Sequence, residues 1–282
     1  MIKKVVYSHW SKPMGEEFVG FNSEKMFIAS AYLSVMLNLN YFEEVELVTD
    51  KRGKELFVDK WKIPFTSVVV CLDELNHVNK KHWAIGKLHA CAIQDKPFMH
   101  QDMDVFWFKR PPSFVFEAEA CFQNFESDVK KYPFYGDSMH RADSFFEKKK
   151  PFVDYKKLCA VNCGIMAFNN LSVIQEWHDH AFEYIEYHDT LSEYDDLFGN
   201  ISSLMFEQFH LYYFLKNADI DVSTLQGGEP SEGQFISEER ASELGYTHLI
   251  SSSKRNKRTE ELVLDRLGKT SPEFYKKLVL TP

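Results

Sequence analysis

The residues with the clearest chemistry are Asp102 and Asp104, in the run Met99-His100-Gln101-Asp102-Met103-Asp104-Val105-Phe106. In an extended chain, positions i and i+2 project to one face, so two carboxylates at a strand end can converge on one hard cation. Mg²⁺ and Mn²⁺ take such oxygen ligands and add phosphate oxygens of a substrate to them. Two solvated loop carboxylates would read the same in isolation. The apolar setting, directly after a strand, favours the metal.

The elements that must position these groups alternate between strand and helix. Val5-Val6-Tyr7 reads as a strand ending at Ser8-His9-Trp10, and a helix follows from about Ser23, its cap, to Leu39. Val45 to Asp50 reads as a strand, Lys51 to Trp61 as a helix, Val68 to Leu72 as a buried strand and Lys81 to Ile93 as a helix. A fourth strand starts at Phe98 and runs into Asp102. Such alternation means right-handed crossovers and an α/β fold with a mostly parallel central sheet flanked by helices. Ligands of such sheets bind beyond the carboxyl ends of the strands, which marks Ser8 to Trp10, Asp50, Asp73 and Asp102 to Asp104.

After Pro111-Pro112 the pattern loosens. Cys121-Phe122-Gln123 and Val161 to Phe168 read as strands, and residues 126–156 as a surface excursion. Leu171 to Tyr187 and Ser203 to Lys216 read as helices, with loops at Gly227-Gly228 and Gly233. On the second of these helices Leu204, Gln208, Leu211 and Leu215 share a face, and a glutamine on an apolar face needs a partner.

Composition narrows the function classes. The 282 residues carry a formal net charge of -9, which lacks the broad positive field of a non-specific nucleic-acid binder. Hydrophobic residues make up 44% and aromatics 15%, enough for a full core; the aromatics suit that core first and a sugar-binding cleft second. Five cysteines with no CxxC spacing argue against a disulfide framework and for free thiols in a reducing cytoplasm. No run has the length of a signal h-region or a membrane span, so a soluble cytoplasmic protein is expected. His178-Asp179-His180 resembles a metal motif, but i and i+2 diverge on a helix. HExxH, P-loop and Gly-x-Ser-x-Gly patterns are absent.

A strand, Asp102-x-Asp104, then the aromatic run and prolines from Val105 to Pro112 resemble the GT-A glycosyltransferases, most closely the retaining, glycogenin-like and bacterial galactosyltransferase-like branch. Asn162-Cys163-Gly164 is similar to that family's Asn-Ser-Gly strand, Glu207-Gln208 to its Asp-Gln pair, and His248 to Lys254 to its late His-x5-Lys. The resemblance implies a GT-A fold and a nucleotide-diphospho-sugar donor, a UDP-sugar, with Mn²⁺ or Mg²⁺ on Asp102, Asp104 and His248. It implies donor contacts from Ser8, His9, Trp10, Lys87, Asp102, Asn162, Gly164 and Lys254, and catalytic roles near the sugar for Glu207 and Gln208. The acceptor would be a glycan or other hydroxyl compound, in surface glycan synthesis. On this reading the chain is one catalytic domain: a nucleotide-binding half (1–112), a donor-sugar and acceptor half (113–258) and a helical tail (259–282). Two departures stand out. Ser8-His9-Trp10 replaces the family's Asp or Thr-Asp, and Ser251 stands where a glycine is usual. Two other classes stay open: a metal-dependent nucleotidyltransferase or nucleotide-sugar hydrolase, which a second acidic cluster would support, and a GT-A-like nucleotide-sugar-binding protein without turnover.

Overall fold

The structure, a computed structural model, describes residues 2–14, 18–127, 159–190, 203–230 and 236–281. In chain order these form β1 (Lys4–His9), α1 (Ser11–Met14), α2 (Glu24–Asn38), β2 (Glu44–Thr49), α3 (Lys51–Lys54) running into a π turn (Glu55–Lys60), β3 (Ser67–Val70), a 3₁₀ segment (Leu72–His77), α4 (Ile85–Ala92), β4 (Phe98–Gln101) and β5 (Val105–Trp107). Then come α5 (Ser113–Glu117), β6 (Ala120–Phe122), β7 (Phe125–Ser127), β8 (Cys159–Val161), β9 (Ile165–Phe168) and α6 (Ile174–Thr190). A second π turn (Met205–Phe209) leads into α7 (His210–Asn217), followed by β10 (Val222–Thr224), α8 (Glu238–Leu244), β11 (Tyr246–His248), a 3₁₀ turn (Ser251–Arg255), α9 (Lys257–Thr270) and α10 (Pro272–Leu280).

Seven strands make one sheet in the order β10-β6-β9-β4-β1-β2-β3. It is a mostly parallel α/β sheet; β9 alone among its strands runs antiparallel, to both β4 and β6. Alternation along β1 sends Val5 and Tyr7 into the core on the α2 side and Val6 into the core on the α4 and α6 side. The Ser23 hydroxyl accepts the Met26 N–H and starts α2, most of which is buried. A buried polar knot pins that helix. Asn38 Nδ2 and Gln101 Nε2 donate to Tyr7 Oη, and Ser34 Oγ donates to the Val105 carbonyl. α2 is thereby tied to β1 and to β4 and β5, the two strands on either side of the carboxylate turn.

Asp50, at the end of β2, accepts from the Ser11 N–H and hydroxyl and caps α3 through the Gly53 N–H. A Cβ at Gly53 would lie 2.0 Å from Thr49 Oγ1 and 2.9 Å from the His9 ring, so only glycine lets α3 seat against the ends of β1 and β2.

Several expected elements differ in detail. β3 is an edge strand, half-exposed rather than buried, because β2 pairs with it on one side only. The helix expected from Lys81 begins at Ile85, after a turn. The strand expected over 161–168 is two strands broken at Asn162 to Gly164. α9 begins at Lys257 and packs with α10 on α2. Most of the 126–156 excursion, and Gly233, lie outside the described residues. Among those described, no helix is long and apolar enough to cross a membrane, and all five cysteines are free thiols.

Candidate metal and donor site

β4 ends at Gln101, and the Asp102 N–H donates to the Gly164 carbonyl at the start of β9 (2.9 Å). The chain turns through Asp102 to Asp104 and enters β5. β5 pairs antiparallel with β11, in a register that sets Val105 opposite His248. The Leu249 N–H reaches back to the Asp104 carbonyl (3.0 Å). This two-stranded ribbon carries His248 to the carboxylate turn from 144 residues away in sequence (248 − 104). His248 Nε2 lies 3.5 Å from Asp104 Oδ1. Ligand atoms of Asp102, Asp104 and His248 all lie within 4.8 Å of one another.

These residues fit a divalent ion. Ligands at ~2.1 Å from such an ion stand within ~4.2 Å of each other, so a small side-chain closure completes the set. His248 Nδ1 is 2.7 Å from Gln123 Oε1, an atom that only accepts. Nδ1 therefore carries a proton, and on the neutral ring Nε2 presents its lone pair to Asp104, the form a metal requires.

Two ammonium groups share the carboxylates. Lys254 Nζ lies 2.5 Å from Asp104 Oδ2, donates to the Val19 carbonyl and sits over the Phe21 ring. Burial alone would raise the Asp104 pKa, but the Lys254 ammonium beside it outweighs that and holds the carboxyl well below its usual range. Lys87, on α4, is buried between Asp102 Oδ1 (2.7 Å) and Glu207 Oε1 (2.5 Å) and donates to the Cys163 carbonyl. Burial disfavours its charge; the two carboxylates reverse that and raise its pKa above the usual lysine value. Burial raises the pKa of Glu207, whose Oε2 has no hydrogen-bond partner among the described residues.

The π turn Met205–Phe209 decides which of Glu207 and Gln208 turns inward. Its extra residue shifts the helical register, so Glu207 is buried while Gln208 is half-buried. The α-helical face expected through Leu204, Gln208, Leu211 and Leu215 is interrupted there; only Leu211 and Leu215 are buried.

Gly164 makes room for His248. A Cβ on it would meet the His248 ring at 2.5 Å and Gln123 Oε1 at 3.1 Å. The Gly164 N–H donates to Asn162 Oδ1, and Asn162 Nδ2 donates to Glu126, so Asn162 shapes the turn between β8 and β9. Ser251 adopts φ +52°, the left-handed region that favours glycine.

The cluster borders a cavity of about 450 Å³. Asp102, Asp104, Lys87 and Lys254 line it, and Ser8, His9 and Trp10 line it further along β1. Ser8 Oγ bonds His100 Nε2 at 2.8 Å. His9 packs between Phe27 and Phe57, and burial pushes its pKa down to about 4 against the pull of Asp50. His248, Glu207 and Gly164 stand behind the lining. Asn162 and Gln208 are outside it. Sequence reasoning missed Gln123, which holds His248, Tyr246, which donates to Gln123 Oε1, and His100, which holds Ser8. Gln123 ends an apolar strand as Asp102 does, and that was a usable signal. His178 and His180 diverge as expected: His178 meets Asp179 and His89, while His180 packs on His210. Among the described residues, Asp102, Asp104 and His248 form the one group of three with metal-ligand spacing.

Solved structures with a similar chain course include mouse xyloside xylosyltransferase 1 in its apo form, at 14% identity and TM-score 0.41, over 79% of this chain and 85% of that one. The galactosyltransferase LgtC, in complex with donor and acceptor sugar analogs, matches at 8% identity and TM-score 0.44 over 98% and 99%. The inositol-1-phosphate CTP transferase from T. maritima matches at 10% identity and TM-score 0.38 over 95% and 97%. At these levels the likeness carries no functional weight. None of the curated proteins matches the chain. A family model covers residues 3–281, and the chain therefore belongs to DUF6734, a family of unknown function.

Proposed function

We propose that the chain is a metal-dependent GT-A glycosyltransferase that moves a sugar from a nucleotide-diphospho-sugar, a UDP-sugar, to a hydroxyl of a glycan acceptor. The observation that carries this reading is the meeting of His248 with Asp102 and Asp104 beside a cavity that two lysines also border. Asp102, Asp104 and His248 would hold Mn²⁺ or Mg²⁺, which supplies Lewis acidity to the departing diphosphate.

The chain's own groups then divide the work. Lys254 exchanges Asp104 for the diphosphate and screens its growing charge. Lys87 links Glu207 to Asp102 and opposes the burial that raises the Glu207 pKa; the unpartnered Oε2 of Glu207 lies behind the cavity lining, where a donor sugar would reach it past Lys87. Gln208, half-buried and outside the cavity, takes no part in the transfer on this reading. Ser8, His9 and Trp10 receive the nucleoside, and Asn162 and Gly164 shape the backbone on the sugar side. A Glu207 carboxylate beside the reacting carbon would stabilise an oxocarbenium-like centre, with retention of configuration. A reducing cytoplasm suits the five free thiols, with surface glycan precursors as acceptors.

The test is thermal stabilisation by UDP, with and without Mn²⁺, since a ligand of the folded state raises stability by mass action. A UDP shift that requires Mn²⁺ and vanishes in Asp104→Asn is expected; no shift under any metal would sink the donor site. A nucleoside triphosphate consumed with release of pyrophosphate would favour nucleotidyl transfer. A metal-dependent UDP shift without slow donor hydrolysis or transfer would mark a binding protein.

A further inference from the structure

We infer that Gln123 is a positioning residue that sets the tautomer of His248 and so its competence to bind a divalent ion. The inference rests on Asp102, Asp104 and His248 being the metal site. Gln123 is fully buried at the end of β6, with its backbone N–H on the Asn162 carbonyl (3.3 Å) and its carbonyl accepting the Gln226 N–H (3.2 Å).

Its side chain belongs to a relay whose polarity is fixed at the far end. The Phe125 backbone carbonyl can only accept, and it takes the Asn124 Nδ2 proton (3.1 Å). Asn124 Oδ1 therefore faces Gln123, and it accepts from Gln123 Nε2 (3.0 Å). Gln123 Oε1 is left to face the opposite way, where it accepts from both His248 Nδ1 (2.7 Å) and Tyr246 Oη (2.6 Å). Reversing either amide would set two acceptors against each other, so the direction is locked from a backbone carbonyl through to the imidazole. A side chain at position 164 would strike both the ring and Gln123 Oε1, so glycine there leaves the ring free to keep this bond. Outer hydrogen bonds of this kind fix the orientation and basicity of a metal-bound histidine.

Two measurements on the full chain, without nucleotide, test this. The first is Mn²⁺ affinity from the electron paramagnetic resonance signal of the free ion. The second is the ¹⁵N shifts of the His248 ring in the metal-free protein, assigned by its loss in His248→Asn. Wild type is expected to show a protonated Nδ1. Gln123→Leu should lose that preference and bind Mn²⁺ about tenfold or more weakly. Gln123→Glu keeps an acceptor for Nδ1 but sets its second oxygen against Asn124 Oδ1, so it should recover the protonated Nδ1 and, relative to Gln123→Leu, part of the Mn²⁺ affinity. Tyr246→Phe, which leaves the Nδ1 acceptor in place, should change neither. An unchanged tautomer and unchanged Mn²⁺ affinity in Gln123→Leu overturn the role of Gln123 and leave the metal site standing. Absence of Mn²⁺ binding in wild type overturns the metal site, and this inference with it.

Discussion

Lys254 Nζ lies 2.5 Å from Asp104 Oδ2, so an ammonium of the chain occupies one side of the carboxylate that a divalent ion would share. The same lysine donates to the Val19 carbonyl, and its neighbour Arg255 to that of Gly20, which ties the cavity wall to the turn after β11. Removing this ammonium removes a competitor for the metal and a partner for the diphosphate. Lys254→Met is therefore expected to bind Mn²⁺ alone at least as tightly as wild type. Its affinity for UDP in saturating Mn²⁺ should fall by about 2 kcal/mol, the worth of one charged hydrogen bond. Calorimetric titration of each ligand separates the two effects, and equal loss of both would contradict the division of roles.

Lys87 and Glu207 form a buried pair, and such pairs respond unequally to loss of one member. Lys87→Met leaves Glu207 buried without its cation and should destabilise by about 3–5 kcal/mol. Glu207→Gln leaves Lys87 on Asp102 and should cost about 1 kcal/mol. Combining the two changes should recover part of the stability lost by Lys87→Met. Urea denaturation of the four proteins checks the order; an additive double mutant would show that the pair is not coupled.

Gly164→Ala places a methyl group 2.5 Å from the His248 ring. The ring or the β8–β9 turn must move, at about 1–3 kcal/mol. Because the displaced group is a proposed ligand, Mn²⁺ affinity should fall further than stability alone explains. Parallel Tm and Mn²⁺ titrations test that, and a Tm loss with intact Mn²⁺ binding would separate Gly164 from the centre.

Acid should weaken the fold before ordinary carboxylates titrate. Burial, the largest influence, lowers the pKa of His9 to about 4 and that of His100 well below the usual 6.5. The unfolded chain then takes up protons near pH 6.5 while the folded chain does not. Stability is full above pH 6.5 and falls as pH drops from 6.5 toward 4, by a few kcal/mol for His9 if the whole shift is expressed. Tm measured across this range should decline, and His9→Phe should flatten the decline. An identical slope in wild type and His9→Phe would remove His9 as a cause.

Much of this protein is legible in its sequence because local rules carry it. Ser23 announces a helix start by side-chain capping and caps α2 as expected, whereas Asp50, marked as a strand-end residue, caps α3. The order of strands and helices up to Asp102 follows from periodicity, since the period of burial is set by backbone geometry alone. Register shifts are less legible. The π turn at Met205–Phe209 reverses which of Glu207 and Gln208 faces inward, because packing against the sheet decides it. Ser251 takes the left-handed conformation that favours glycine, which its residue type does not announce.

By itself, then, the sequence determined an α/β chain with a carboxylate pair at the end of its fourth strand, and it nominated His248, Lys254 and Lys87 as partners. Only the tertiary structure decided that His248 lies beside Asp104, because that meeting depends on the β5–β11 register between segments far apart in the chain. It alone supplied Gln123, whose meaning lies in a hydrogen-bond direction inherited from the Phe125 carbonyl. Hydrogen-bond polarity is a property of groups brought together by folding, and no spacing along a chain encodes it.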